Sequence, residues 1–169
     1  MEFRREEPGD EEAIRQVNEA AFERPDEAGL VELLRDIADP YVSMVALVDG
    51  EIVGHVIFSP VTIDEGDGNE LFMGLAPMAV HPDHQSEGIG TALGEAGLEE
   101  CRQMGVRAVF VLGPPAFYSR FGFESARDHG FDYPGDVPED AFMVHALADN
   151  ALEGRSGEVR YLPVIADYE

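Results

Sequence analysis

The stretch Gln85-Ser86-Glu87-Gly88-Ile89-Gly90 constrains this chain most, because it joins an extended apolar run to an amphipathic helix. The run before it is Leu75-Ala76-Pro77-Met78-Ala79-Val80, followed by His81-Pro82-Asp83-His84. Beyond it, Ile89, Ala92, Leu93, Ala96, Cys101 and Met104 recur at helical spacing, while Glu95, Glu99 and Arg102 gather on another face. The order is strand, glycine-bearing turn, helix. Glycine permits a sharp bend and leaves no side chain between the first helical amides and a ligand. Those amides have no partner inside the helix, so they point outward and favour an anion such as phosphate. A short Gly-x-Gly also opens ordinary helices, and that plain alternative stands beside the anion site.

Two nucleotide-binding alternatives fail on their residues. A Walker-type loop needs Lys followed by Ser or Thr after its last glycine, and this chain has no Lys at all. A dinucleotide fingerprint needs a further glycine where Leu93 stands. The pattern that fits, Gln/Arg-x-x-Gly-x-Gly/Ala, resembles the pyrophosphate loop of the GNAT superfamily of acyl-CoA-dependent N-acetyltransferases. Further on, Phe117-Tyr118-Ser119-Arg120-Phe121-Gly122-Phe123 resembles that superfamily's closing signature, aromatic-Tyr-x-Lys/Arg-x-Gly-Phe. Between them, Val106-Arg107-Ala108-Val109-Phe110-Val111-Leu112 reads as a buried strand. Residues 75–123 are the specific part of the match. Weaker likeness to a prokaryotic GNAT subgroup reaches towards both ends, through Glu27-Ala28-Gly29-Leu30-Val31-Glu32-Leu33-Leu34-Arg35 and Gly157-Glu158-Val159-Arg160-Tyr161-Leu162-Pro163.

The resemblance implies an α/β (α+β) fold, a mixed and mostly antiparallel central sheet flanked by helices, with strands splayed at the acyl-CoA site. It implies transfer of acetyl from acetyl-CoA to a primary amine of a small molecule or protein terminus, by direct attack in a ternary complex. Residue by residue, the backbone of Met78, Ala79 and Val80 corresponds to the segment that holds the pantetheine arm. The amides of Gln85, Ser86, Glu87, Gly88, Ile89, Gly90 and Thr91 correspond to the pyrophosphate loop. Tyr118 matches the tyrosine that protonates the departing CoA sulfur, with an aromatic packed beside Phe117, Phe121 and Phe123 as the plain alternative. Phe117 and Arg120 are expected at the coenzyme, Arg120 either approaching its phosphates or standing as a surface charge. The chain also departs from the family. Ser86 and Glu87 stand where many members have Gly and a basic residue. Phe72-Met73-Gly74-Leu75 lacks the mid-strand Glu that some members use as a base, and Gly113-Pro114-Pro115 replaces a common Asn. The base therefore has three candidates: His81, Glu70 and bulk solvent. These departures leave room for a second function, a non-catalytic module that binds or senses acyl-CoA.

At 169 residues the chain suits one domain, 1–169, able to bury a real core. Apolar content of 44% excludes a disordered chain. No apolar run approaches the roughly 18 residues of a membrane span. The N-terminus has no apolar signal core, so a cytoplasmic protein is expected. A lone Cys101 agrees with that compartment and reads as a small core residue. A homodimer is compatible with the chain. Asp64-Glu65-Gly66-Asp67-Gly68-Asn69 lacks the alternating ligands and closing Glu of a calcium loop, so a solvated hairpin loop and no metal are expected there.

The remaining elements follow from local signals. Asp10 is placed to cap a helix through Ile14, Val17 and Ala21, and Leu30, Leu33, Leu34 and Ile37 mark a second. Asp49-Gly50 closes a hairpin between strands at 44–48 and 52–58. His55 and His145 fall in strands. Residues 129–140 read as a Gly/Pro/Asp-rich excursion, and strands are expected at 142–147 and 159–165. The resemblance implies that 22–26 and 129–140, as variable helix and loop segments, meet the acceptor.

Net charge is −24, from 35 acidic residues against 11 Arg. Nucleic-acid binding needs basic footprints and is disfavoured. Abundant carboxylates without Lys read as a surface adapted to high salt, where the Debye length shrinks to about 3 Å and self-repulsion is screened. The chain is therefore expected to lose cooperative structure in dilute buffer and regain it on adding molar salt, monitored by circular dichroism.

Overall fold

In the computed structural model, which describes residues 1–65, 70–138 and 140–166, the chain opens with β1 (Glu2–Arg5), α1 (Glu11–Phe22) and α2 (Asp26–Ile37). Next come β2 (Val42–Val48), β3 (Glu51–Glu65), β4 (Phe72–Val80), α3 (Ile89–Gln103), β5 (Ala108–Leu112) and the short α4 (Pro115–Tyr118). The C-terminal part contributes β6 (Glu124–Ser125), β7 (Phe131–Asp132), β8 (Phe142–Ala146), β9 (Ser156–Arg160) and α5 (Pro163–Ala166). The sheet order is β1-β2-β3-β4-β5-β8-β6, and β9 joins the far half of β3 and pairs with β7. Pairing is antiparallel except at β4–β5 and β7–β9, which is the mixed, mostly antiparallel sheet expected.

Local chemistry accounts for the elements. Asp49 and Gly50 take φ of 52° and 81°, the left-handed pair that matches the twist of a tight hairpin between β2 and β3. β2 reads Val-Ser-Met-Val-Ala-Leu-Val because both of its faces are covered. On one face α3 packs Leu93 and Cys101 against Phe58, Val109 and Phe121. On the other, α1 and α2 pack Ile14, Leu30 and Leu34 against Ile57 and Phe110. Burial pushes the Cys101 thiol up to about 12, so it is an inert core group.

The second helix forms as α2, with Leu30 and Leu34 facing the core while Leu33 and Ile37 are exposed. Three local expectations are corrected. Asp10 occupies the N-cap position of α1, but its carboxylate accepts from Glu7 N–H at 2.7 Å and Arg4 Nη1 at 2.8 Å instead of capping the helix. The last strand lies earlier than 159–165, because Pro163 opens α5. The excursion after Phe123 carries β7, which pairs with β9. Of the acidic loop at 64–69, residues 66–69 lie outside the described residues.

His55 is fully buried, so its neighbours fix its state. Ser43 donates its hydroxyl proton to Glu6 Oε1 at 2.6 Å. It must then accept from His55 Nε2–H at 2.8 Å, leaving Nδ1 to accept from Asn18 Nδ2 at 3.5 Å. Arg35 Nε holds the other Glu6 oxygen at 2.7 Å. Burial, with a smaller contribution from the Arg35 charge, lowers the imidazole pKa to about 3. The unfolded chain takes up this proton below about 6.5 and the folded chain does not, so stability falls as pH drops through that window, by about 1.4 kcal/mol per pH unit from this group. In NMR titrations the His55 ring shifts are expected to stay flat from about pH 8 to about pH 4.5, where an ordinary histidine titrates.

Candidate functional site

β4 and β5 run side by side only from Phe72↔Ala108 to Gly74↔Phe110. Beyond that point β5 stays with β8, while β4 continues against β3 alone. The register of β4 on β3 shifts between Val56 and Phe58, so Ala76 and Pro77 together oppose Ile57 as a bulge. Pro77 has no N–H to give to a ladder, which suits it to that position. His81 N–H donates to Val53 O at 2.8 Å, and strand alternation then turns the main-chain groups of Val80 and Met78 towards the open edge. The Val80 carbonyl there accepts Gln85 Nε2 at 3.0 Å, which ties the turn to the strand end.

The turn itself is built for a bare helix start. Ser86 and Gly88 have φ of 66° and 83°. Ser86 thus takes the left-handed conformation that glycine adopts more cheaply. Gly88 O accepts Ala92 N at 3.1 Å as the first helical bond of α3. No side chain caps α3 and no acid lies in its first turn, so the amides of Ile89, Gly90 and Thr91 have no intrahelical acceptor. Gly88, Gly90 and Thr91 border a cleft of about 390 Å³.

Across the cleft, Tyr118 ends α4, with Phe117 packed edge-on at 4.9 Å between ring centroids. Its ring lies against the backbone of Gly113, where an added Cβ would come within 2.2 Å of Tyr118 Cε2. Only glycine lets the ring keep this place. Tyr118 is 8% exposed, and burial pushes its hydroxyl up to about 12. It is a neutral donor at any physiological pH. Arg120 lies on the same wall. Among the described residues it is the one arginine without a carboxylate at ion-pair distance, whereas every other arginine has such a partner.

Met78, Val80, Gln85, Ser86, Gly88, Gly90, Thr91, Phe117, Tyr118 and Arg120 all line this cleft. Three expected residues do not. Ala79 is buried, and the alternation set by His81 turns its backbone towards β3. Ile89 has its side chain in the core. Glu87 is half exposed, with Oε1 3.4 Å from His84 Nδ1. His84 and Pro114 also line the cleft and were not among the expected residues. Proximity to the two motifs was their only sequence signal.

A second hollow of about 220 Å³ shares Met78 and Tyr118 with the first. Phe22, Glu27, Leu30, Pro77, Leu112 and Ile165 contribute to its wall. Residues 129–138 and 140, expected at the acceptor, do not reach it. Of the candidate bases, Glu70 is held by Arg155 Nη2 at 2.6 Å, and His81 Nδ1 accepts from Asp83 N–H at 3.1 Å; neither lines either hollow. Among the described residues no cluster of His, Cys, Asp and Glu could hold a metal ion, and no helix is long and apolar enough to cross a membrane.

A strand edge left open beside an uncapped helix start, faced by a tyrosine, defines an acyl-CoA-type transferase fold. Residues 2–126 match the family described as the acetyltransferase (GNAT) domain, and the chain belongs to that family. It is 40% identical to Escherichia coli YhbS, described as an uncharacterized N-acetyltransferase, over 95% of this chain and 96% of YhbS. It is equally identical to E. coli YjhQ, of the same description, over 79% of this chain and 77% of YjhQ. The crystal structure of E. coli YhbS in complex with CoA superposes with a TM-score of 0.91 at 37% identity, covering 99% of this chain and 93% of that one. A Brucella melitensis GNAT acetyltransferase in complex with acetyl-CoA gives 0.78 at 34% identity, covering 97% of each.

Gly113→Ala is expected to displace the Tyr118 ring and cost about 1–3 kcal/mol of stability by overpacking, measured by urea denaturation in molar salt.

Proposed function

We propose that the protein is an acetyl-CoA-dependent N-acetyltransferase acting on a primary amine. One observation carries this reading: the open edge of β4, the free amides at the start of α3 and the Tyr118 hydroxyl border one cleft. The main-chain groups of Met78 and Val80 would hold the pantetheine arm. The amides of Gly88, Ile89, Gly90 and Thr91 would surround the diphosphate, and Arg120 supplies the uncommitted positive charge. The residues fit the coenzyme because no side chain caps the first turn of α3 and no acid stands in it, and the Gln85 amide ties the turn to Val80.

Acetyl-CoA supplies an activated acyl carbon. The amine nitrogen forms the new bond to that carbon, the carbon–sulfur bond breaks with CoA leaving as the thiolate, and the nitrogen gives up its proton to solvent. A backbone donor on the β4 edge steadies the developing oxyanion. Tyr118 donates to the departing sulfur. A free thiol ionises near 8.5, well below the buried phenol, so Tyr118 serves chiefly as a strong hydrogen-bond donor to sulfur as negative charge gathers there. No covalent enzyme intermediate is required, because holding both reactants together removes much of the barrier. Glu87 stands half exposed beside His84 and outside the cleft lining, so its carboxylate does not oppose the coenzyme's phosphates there.

Tyr118→Phe is expected to lower kcat about 10²–10⁴-fold while the calorimetric Kd for acetyl-CoA stays unchanged. Thiol release in molar salt reads this out, and undiminished turnover would remove Tyr118 from the chemistry. In the wild type, kcat/KM is expected to rise with pH as the amine loses its proton near about 10, with no falling limb from Tyr118 below that pH.

A further inference from the structure

The second hollow is walled by Leu30, Leu75, Leu112, Ile165 and Phe22, with the Ala76-Pro77 bulge beside them. One charged side chain enters this lining, that of Glu27. Glu27 is 8% exposed, and its carboxylate is gripped by Arg24, with Nε on Oε1 at 2.9 Å and Nη2 on Oε2. Arg24 itself is half exposed and does not line the hollow. Each carboxylate oxygen has lone pairs beyond the one Arg24 occupies, so Glu27 can accept a further N–H. The hollow meets the main cleft at Met78 and Tyr118, where an acyl carbon would be attacked.

Accepting the acetyltransferase reading above, on which this rests, we propose that the acceptor is a small primary amine with a compact hydrocarbon arm, and that Glu27 determines specificity by accepting an N–H from its neutral amino group, which leaves the nitrogen lone pair free to attack. The apolar wall shelters the arm, and each methylene buried there strengthens binding about four-fold. A hydroxyl in place of hydrocarbon would forgo that apolar contact, and a second charge would lose its water without a charged partner, since among the described residues no other charged group lines the hollow. A volume of about 220 Å³ suits such a molecule better than a polypeptide end with its polar backbone.

The test is a thiol-release assay in molar salt with isoamylamine and phenethylamine against ethanolamine, spermidine and an alanine-terminated hexapeptide. The two apolar amines are expected to give the highest kcat/KM. Glu27→Gln is expected to raise their KM about 10–100-fold, with kcat changed far less and the calorimetric Kd for acetyl-CoA unaltered. Arg24→Gln breaks the same ion pair but leaves the carboxylate, so KM should hold or fall. A merely structural role for Glu27 would make the two variants behave alike. Preference for spermidine, ethanolamine or the peptide, an unchanged KM in Glu27→Gln, or equal effects of both variants would overturn this inference and leave the acetyltransferase reading standing. Acetyl-CoA binding without thiol release for any amine would overturn both.

Discussion

The parting of β4 from β5 after Gly74 and Phe110 is the constraint on which the rest of the molecule depends. A strand edge carries unpaired N–H and C=O groups that must find partners or water, and an uncovered edge inside a sheet is normally closed. Here it is held open from both sides. β5 is committed to β8, and Gly113 N–H extends that attachment by donating to Ala141 O at 3.1 Å. β4 is committed to β3 through a bulged register and the His81–Val53 hydrogen bond. Neither strand can close the gap without giving up its own ladder. The wedge that results is narrow at Gly74 and opens where the turn at Gln85 begins α3.

Much of this was legible in the sequence because the signals are local. A strand, a glycine turn and an amphipathic helix in succession announced the crossover from β4 through α3 to β5. The aromatic signature around Tyr118 placed the opposing wall. What stayed hidden depends on contacts between distant residues. The direction of the Ala79 backbone follows from the phase of alternation, and His81 sets that phase by bonding across to Val53. Glu27 reads in sequence as an ordinary acid in the first turn of a helix. Its place in the second hollow appears only when α2 docks over the bulge at Pro77. His55 offers no clue to its burial, since a lone histidine in a strand is equally at home facing solvent. Leu33 and Ile37 share a helical stripe with Leu30 and Leu34, yet both stand exposed while the other two are buried.

Charge is distributed with similar economy. A molecule of net charge −24 repels a polyphosphate coenzyme at long range, and high salt removes that repulsion. Near the cleft the balance changes locally. The first turn of α3 carries no acid, Glu87 stands beside His84 outside the lining, and Arg120 keeps its guanidinium free of carboxylates. The rest of the arginines are spent on ion pairs across the surface, including Arg5 to Glu100, which staples β1 to α3, and Arg35 to Glu6.

Met78 and Tyr118 are party walls, each facing both hollows. A change at either would disturb both hollows together. Phe22, Glu27, Leu30 and Ile165 touch the second hollow alone. Substitutions on α1, α2 and α5 could therefore reshape the second hollow while the first keeps its walls.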